Sequence, residues 1–102
     1  MSKEKNLDIA NDIKLIIAKV LKVDPDQIKA ESLLSELAAD SLDVIELVFL
    51  FEEKFDISIV VQAKGSSFTA KMGHGDQVRH VQFNTVGEII QTVQQIIDAK
   101  AT

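Results

Sequence analysis

Three stretches of this chain place apolar residues at three- and four-residue steps, and that spacing commits most of its length to helix. In residues 4–22 the repeat runs through Ile9, Ile13, Ile16, Ile17 and Val20, with Asp8, Asp12, Lys14 and Lys19 on the other side. Pro25 stops this helix, because it disfavours helical backbone at Asp24 and brings no backbone donor. A second helix is expected from about Ser41 to Phe55. Asp40 stands at its N-cap, and Asp43 follows three residues later, where an acid answers first-turn amides. The last helix begins near Thr85. Its opening, Thr85-Val86-Gly87-Glu88, has the capping-box pattern, and Val86, Ile89, Ile90, Val93, Ile96 and Ile97 form its apolar stripe. Gly87 weakens its first turn somewhat.

The connections are less regular. Residues 26–39 read as a loop that Leu33, Leu34 and Leu37 pin to the core. Residues 57–84, "ISIVVQAKGSSFTAKMGHGDQVRHVQFN", are broken by Gly65, Gly73, Gly75 and the pair Ser66-Ser67. The flanks "ISIVVQ" and "VRHVQF" are rich in β-branched residues, so a short hairpin is one option. A partly ordered loop is the expectation. No internal repeat appears, and 102 residues suit a single domain spanning 1–102.

The chain has no cysteine, which excludes disulfides, thiolate metal sites and any thiol chemistry of its own. A net charge of −5 argues against nucleic-acid binding, which needs clustered Lys and Arg. The N-terminal "MSKEKNLDIANDIK" lacks the apolar run of a signal peptide. Within the second helix the longest apolar run, Leu47–Phe51, falls far short of the ~20 residues that span a bilayer. A cytoplasmic, monomeric protein without a membrane span is expected. His74 and His80, with Asp76 between them, offer no obvious fourth ligand, and no metal site is expected there. "AKGSSFTAKMGHG" lacks the Gly-Lys-Ser/Thr of a P-loop.

Charge is unevenly spread. Residues 1–59 sum to −6, residues 60–84 to +2, and residues 85–102 to −1. From Ala30 to Glu53 there are seven acids and no base. On a helical wheel of the second helix, Val44, Leu47, Val48, Phe51 and Phe55 make an ordinary core stripe. Asp43, Glu46 and Glu53 lie opposite. Leu42, Phe49 and Leu50 fall among those acids, and Ile45 sits at the boundary. Either a neighbouring loop covers these apolar groups, or they form a docking surface with a greasy centre and an acidic rim, suited to a basic partner.

Ser41 opens that helix, and three readings apply to it. It is a first-turn serine with no task, a hydrolytic nucleophile, or a covalent attachment point for a phosphate-linked group. A nucleophile needs a base and an oxyanion hole, and the G-x-S-x-G elbow is absent from Ala39-Asp40-Ser41-Leu42-Asp43. Attachment suits the physics better, because a phosphodiester at a helix N-terminus meets unpaired amides and the positive end of the dipole. Asp40 and Asp43 then make most sense as contacts for the installing enzyme.

The stretch "ADSLDVIELVFLFEEKFDISI" resembles the signature of acyl carrier proteins, in which Asp-Ser-Leu-Asp opens a helix ending in Glu-Glu-x-Phe-Asp. "KVLKVDPDQIKAESLLSELAADSLD" is similar to the family's first helix and long loop, and "TVGEIIQTV" to its last helix. The resemblance implies an all-α fold: a small four-helix acyl-carrier-type bundle with a short or irregular third helix. An extended loop or hairpin is inserted at about residues 60–83. It implies that a phosphopantetheinyl transferase moves 4'-phosphopantetheine from coenzyme A to Ser41, between Asp40 and Leu42. The arm's thiol then carries acyl groups as thioesters for acyl-transferring and chain-elongating enzymes. The chain itself is implied to be no enzyme. Asp43, Ile45, Glu46, Phe49, Leu50, Glu52 and Glu53 match the family's partner face, and the acyl chain is expected to slip between helices toward Val48 and Phe51.

Three departures stand out. Ala38 replaces a frequent glycine, and Lys54 replaces a frequent acid. The stretch after "ISI" is longer than the family's acidic third helix and carries net positive charge. That implies a specialised fatty-acid, lipid or polyketide pathway, and poor use by a general ketosynthase. The rivals are an aminoacyl or peptidyl carrier, against which Asp40 and the acidic rim argue, and an unmodified protein-interaction domain.

Overall fold

The computed structural model describes residues 2–37, 39–64, 67–72 and 78–101. Three helices carry most of the core: α1 (Ser2–Leu21), α2 (Ser41–Phe55) and α3 (Val86–Ala101). A 3₁₀ turn at Pro25–Gln27 follows α1, with the Asp24 carboxylate accepting from the Asp26 amide at 3.1 Å. Proline at the first position of that turn loses nothing, since its missing N–H would have had no partner there. α1 packs against both α2 and α3, and Ile13 and Ile17 are fully buried between them. Leu15, outside the predicted stripe, is exposed.

The start of α3 and the end of α2 follow from the local sequence. The predicted capping box of α3 is present: the Glu88 amide donates to Thr85 Oγ1 at 3.1 Å, and the Thr85 amide to Glu88 Oε1 at 3.0 Å. α2 closes on Asp56 in the left-handed region, with its N–H donating to the Glu52 carbonyl. Aspartate tolerates that backbone better than most residues.

The loop after the 3₁₀ turn runs along the start of α3. The Leu34, Val86 and Gly87 amides donate to the Asn84, Ser32 and Ala30 carbonyls at 2.8, 2.9 and 2.8 Å. Leu34 is buried and Leu37 half-buried, as expected of pins, while Leu33 is exposed. Ala38 lies outside the described residues.

The all-α four-helix bundle is corrected here. Among the described residues there is no fourth α-helix between α2 and α3. A three-stranded antiparallel sheet takes its place: β1 (Val60–Lys64), β2 (Ser67–Met72) and β3 (Arg79–Gln82), in the order β1-β2-β3. The partly ordered loop expected there is also overturned, and the hairpin option falls short of what forms. Its two β-branched flanks become the opposite edges of the sheet, with "SFTAKM" between them.

The reason is a period of two. Phe68, Ala70 and Met72 alternate with Ser67, Thr69 and Lys71, and the first set is buried while Ser67 and Lys71 are exposed. Val61, Phe68, Ala70 and Val81 pack toward the helices alongside Phe83 just beyond β3. No helical register puts those side chains on one face. The Asn84 side chain fastens the sheet to α3's entrance, accepting from the Phe68 amide at 2.6 Å and donating to Gln82 at 2.7 Å.

Candidate functional site

α2 presents the two faces that its sequence predicts. Val44, Leu47, Val48 and Phe51 are buried against the other helices, and Phe55 is half-buried. On the outer face Leu42, Ile45 and Phe49 are 74%, 62% and 66% exposed. No described loop covers them. Glu46 and Glu53 are exposed beside them, whereas Leu50 is half-buried. Lys54 pairs with Asp12 of α1 at 3.9 Å, a contact between partly exposed side chains that contributes little.

At the entrance of α2, Asp40 and Asp43 form a reciprocal capping box. The Asp43 amide donates to Asp40 Oδ1 at 2.9 Å, and the Asp40 amide donates to Asp43 Oδ2 at 3.3 Å. Both carboxylates are thus turned to backbone donors. Ser41, the first helical residue, is exposed between them. The amides of Ser41 and Leu42 have no acceptor among the described residues. A phosphate ester on Ser41 would therefore meet two available donors and the positive end of the helix. The residues present fit such a group.

Glu52 has an additional task. Its Oε2 accepts from the Ile59 amide at 2.9 Å, which ties the last turn of α2 to the approach of β1. Along that seam lies an apolar groove of about 390 Å³, lined by Ile45, Val48, Phe49, Glu52, Ile59, Val60 and Val61. Val48 lines it, while Phe51 stays fully buried in the core. Ile59, Val60 and Val61 were not among the sequence-derived site residues. Their β-branched run was visible, but the register that brings them beside Phe49 was not.

His80 is exposed on β3. His74 and Asp76 lie outside the described residues, and no metal-type cluster occurs among the described ones. No helix among the described residues is long and apolar enough to cross a membrane.

α2 thus presents an exposed serine on its first turn, beside an acidic and apolar face. The family model for the phosphopantetheine attachment site matches residues 11–63. An acyl carrier protein of Wolinella succinogenes is 42% identical over 77 residues, covering 74% of this chain and 96% of that protein. One from Campylobacter lari is 50% identical over 52 residues, covering 50% of this chain and 68% of the relative. One from Bdellovibrio bacteriovorus is 54% identical over 48 residues, covering 46% and 62%. The chain belongs to the acyl carrier protein family. It is a carrier and not an enzyme, and its cofactor is covalent 4'-phosphopantetheine. The family's work is done with a phosphopantetheinyl transferase and acyl-handling enzymes.

Proposed function

We propose that Ser41 is the residue that bears the arm, and that the outer face of α2 is where the transferase and the acyl-handling enzymes dock. The observation that carries this reading is the exposure of Ser41 at the entrance of α2, next to the exposed Leu42, Ile45 and Phe49. Once attached, the arm supplies a terminal thiol that holds an acyl group as a thioester, in a chain that has no thiol of its own. The chain's residues do the rest. The capping box fixes the backbone on both sides of the serine, so the hydroxyl is offered on a rigid helix end. Asp43, Glu46 and Glu53 steer a basic partner toward the apolar centre. Glu52 holds β1 beside α2, and the groove between them is the natural rest for an acyl chain between visits. Tethering raises the effective concentration of the cargo at each enzyme.

The sheet in place of an acidic helix supports a specialised fatty-acid, lipid or polyketide pathway. One domain over residues 1–102 is the reading that goes with it. The test is intact mass. Incubation with coenzyme A and a phosphopantetheinyl transferase should add one phosphopantetheine to the wild type and none to Ser41→Ala. No gain on the wild type with several transferases, or an equal gain on Ser41→Ala, would remove Ser41 from this role.

A further inference from the structure

The register of the sheet puts a row of side chains on its outer face. Val60 is directly opposite Lys71, and Lys71 directly opposite His80. All three are exposed, and directly opposed residues project to the same side. Lys64 lies on this face as well, two alternations along β1 from Val60, with Gln62, Ser67 and Gln82 as neutral neighbours. Residues 60–72 and 78–84 contain Lys64, Lys71 and Arg79 but no acid. Arg79 belongs elsewhere, since its guanidinium donates to Gln95 of α3 at 3.2 Å.

Val60 also lines the groove with Ile45 and Phe49. It therefore joins two surfaces of opposite sign. On one side are Glu46 and Glu53 of α2, on the other Lys71 and Lys64 of the sheet, and the exposed Phe49 and Val60, which line the same groove, lie between them. A flat, wholly basic partner that docks on α2 meets repulsion as soon as it extends past Val60.

We propose that the outer sheet face is the second half of a two-signed docking surface. The partner it fits is an acyl-handling enzyme with a basic patch opposite α2 and an acidic patch opposite the sheet. The inference rests on the reading of α2 as a docking face, and it gives the specialisation a physical cause. Lys64 and Lys71 deter enzymes whose whole patch is basic, and they reward one that supplies carboxylates there.

The experiment measures binding without loading. The Ser41→Ala chain is titrated against a β-ketoacyl synthase of general fatty-acid elongation, chosen for a uniformly basic docking patch, at low ionic strength. Lys64→Glu with Lys71→Glu should tighten binding about five-fold, and Glu46→Lys with Glu53→Lys should weaken it about five-fold. Added salt should shrink both changes. Lys64→Gln with Lys71→Gln, which introduces no new charge, should fall between wild type and the double Glu variant. Circular dichroism on each variant guards against a folding defect. If the sheet variants bind within about two-fold of wild type while the α2 variant weakens, the sheet lies outside the contact and the proposal fails alone. If the α2 variant is also unchanged, the docking role of α2 falls with it.

Discussion

The Asp43 amide donates to the Asp40 carboxylate at 2.9 Å while the Asp40 amide donates back to Asp43 at 3.3 Å, so the two acids flanking Ser41 are each other's caps. Structure alone thus accounts for both acids, and a role in docking has to be separated from it. Asparagine caps about as well as aspartate, and alanine does not. Asp40→Ala should cost about 1 kcal/mol of stability, and Asp40→Asn less than about 0.5 kcal/mol, by urea denaturation. If the transferase also reads the charge, Asp40→Asn loads more slowly than wild type in an intact-mass time course. Equal rates would reduce Asp40 to a cap.

Two phenylalanines of α2 should behave oppositely. Phe51 is fully buried in the core, and Phe49 is 66% exposed beside the groove. Phe51→Ala should cost about 3–5 kcal/mol through lost transfer energy and a cavity. Phe49→Ala should change stability by less than about 0.5 kcal/mol. Its effect should appear as weaker binding to the synthase, where an exposed aromatic anchors the contact. A large stability loss on Phe49→Ala would mean that the side chain packs within the chain.

The helices were legible because each repeats its apolar residues over several turns, and the Thr85/Glu88 box could be read directly from four letters. The sheet was not. Its central strand, Ser67–Met72, holds Ala70 and Lys71, which are weak β formers, and glycines lie close on both sides. Only the burial of Phe68, Ala70 and Met72, the first two of them in the core shared with the helices, gives that strand its face. The resemblance to an all-helical family pulled the same residues toward a loop or a short helix. At the site, Ser41 and the face of α2 followed from one helix and were readable. The seam with Ile59, Val60 and Val61 depends on contacts between elements, and no local pattern encodes it.

Gly87 illustrates a local rule overturned by packing. Helix propensity alone favours alanine there by about 1 kcal/mol. The added Cβ would stand 3.1 Å from the Ala30 carbonyl oxygen, the same atom that accepts from the Gly87 amide at 2.8 Å. That carbonyl is backbone, and the neighbouring bond from Val86 to Ser32 holds the strand of loop in place. It cannot retreat without stretching both bonds. Gly87→Ala should therefore destabilise by about 1 kcal/mol despite the better propensity. A gain in melting temperature would show that the loop yields.

Glu52 offers the means to separate charge from architecture on the docking face. Its carboxylate holds the Ile59 amide at 2.9 Å, and Ile59 is buried at the base of the groove. Glu52→Ala leaves a part-buried donor without its acceptor and should cost about 1–3 kcal/mol. Glu52→Gln keeps an acceptor oxygen and should cost less, because only the charge assistance is lost. Hydrogen exchange at the Ile59 amide should accelerate in Glu52→Ala and stay closer to wild type in Glu52→Gln. Should both variants exchange alike at the wild-type rate, the bond is no strap between α2 and β1. With the strap intact in Glu52→Gln, any weakening of synthase binding measures the lost rim charge alone. The further loss in Glu52→Ala then measures how much docking depends on β1 staying beside α2.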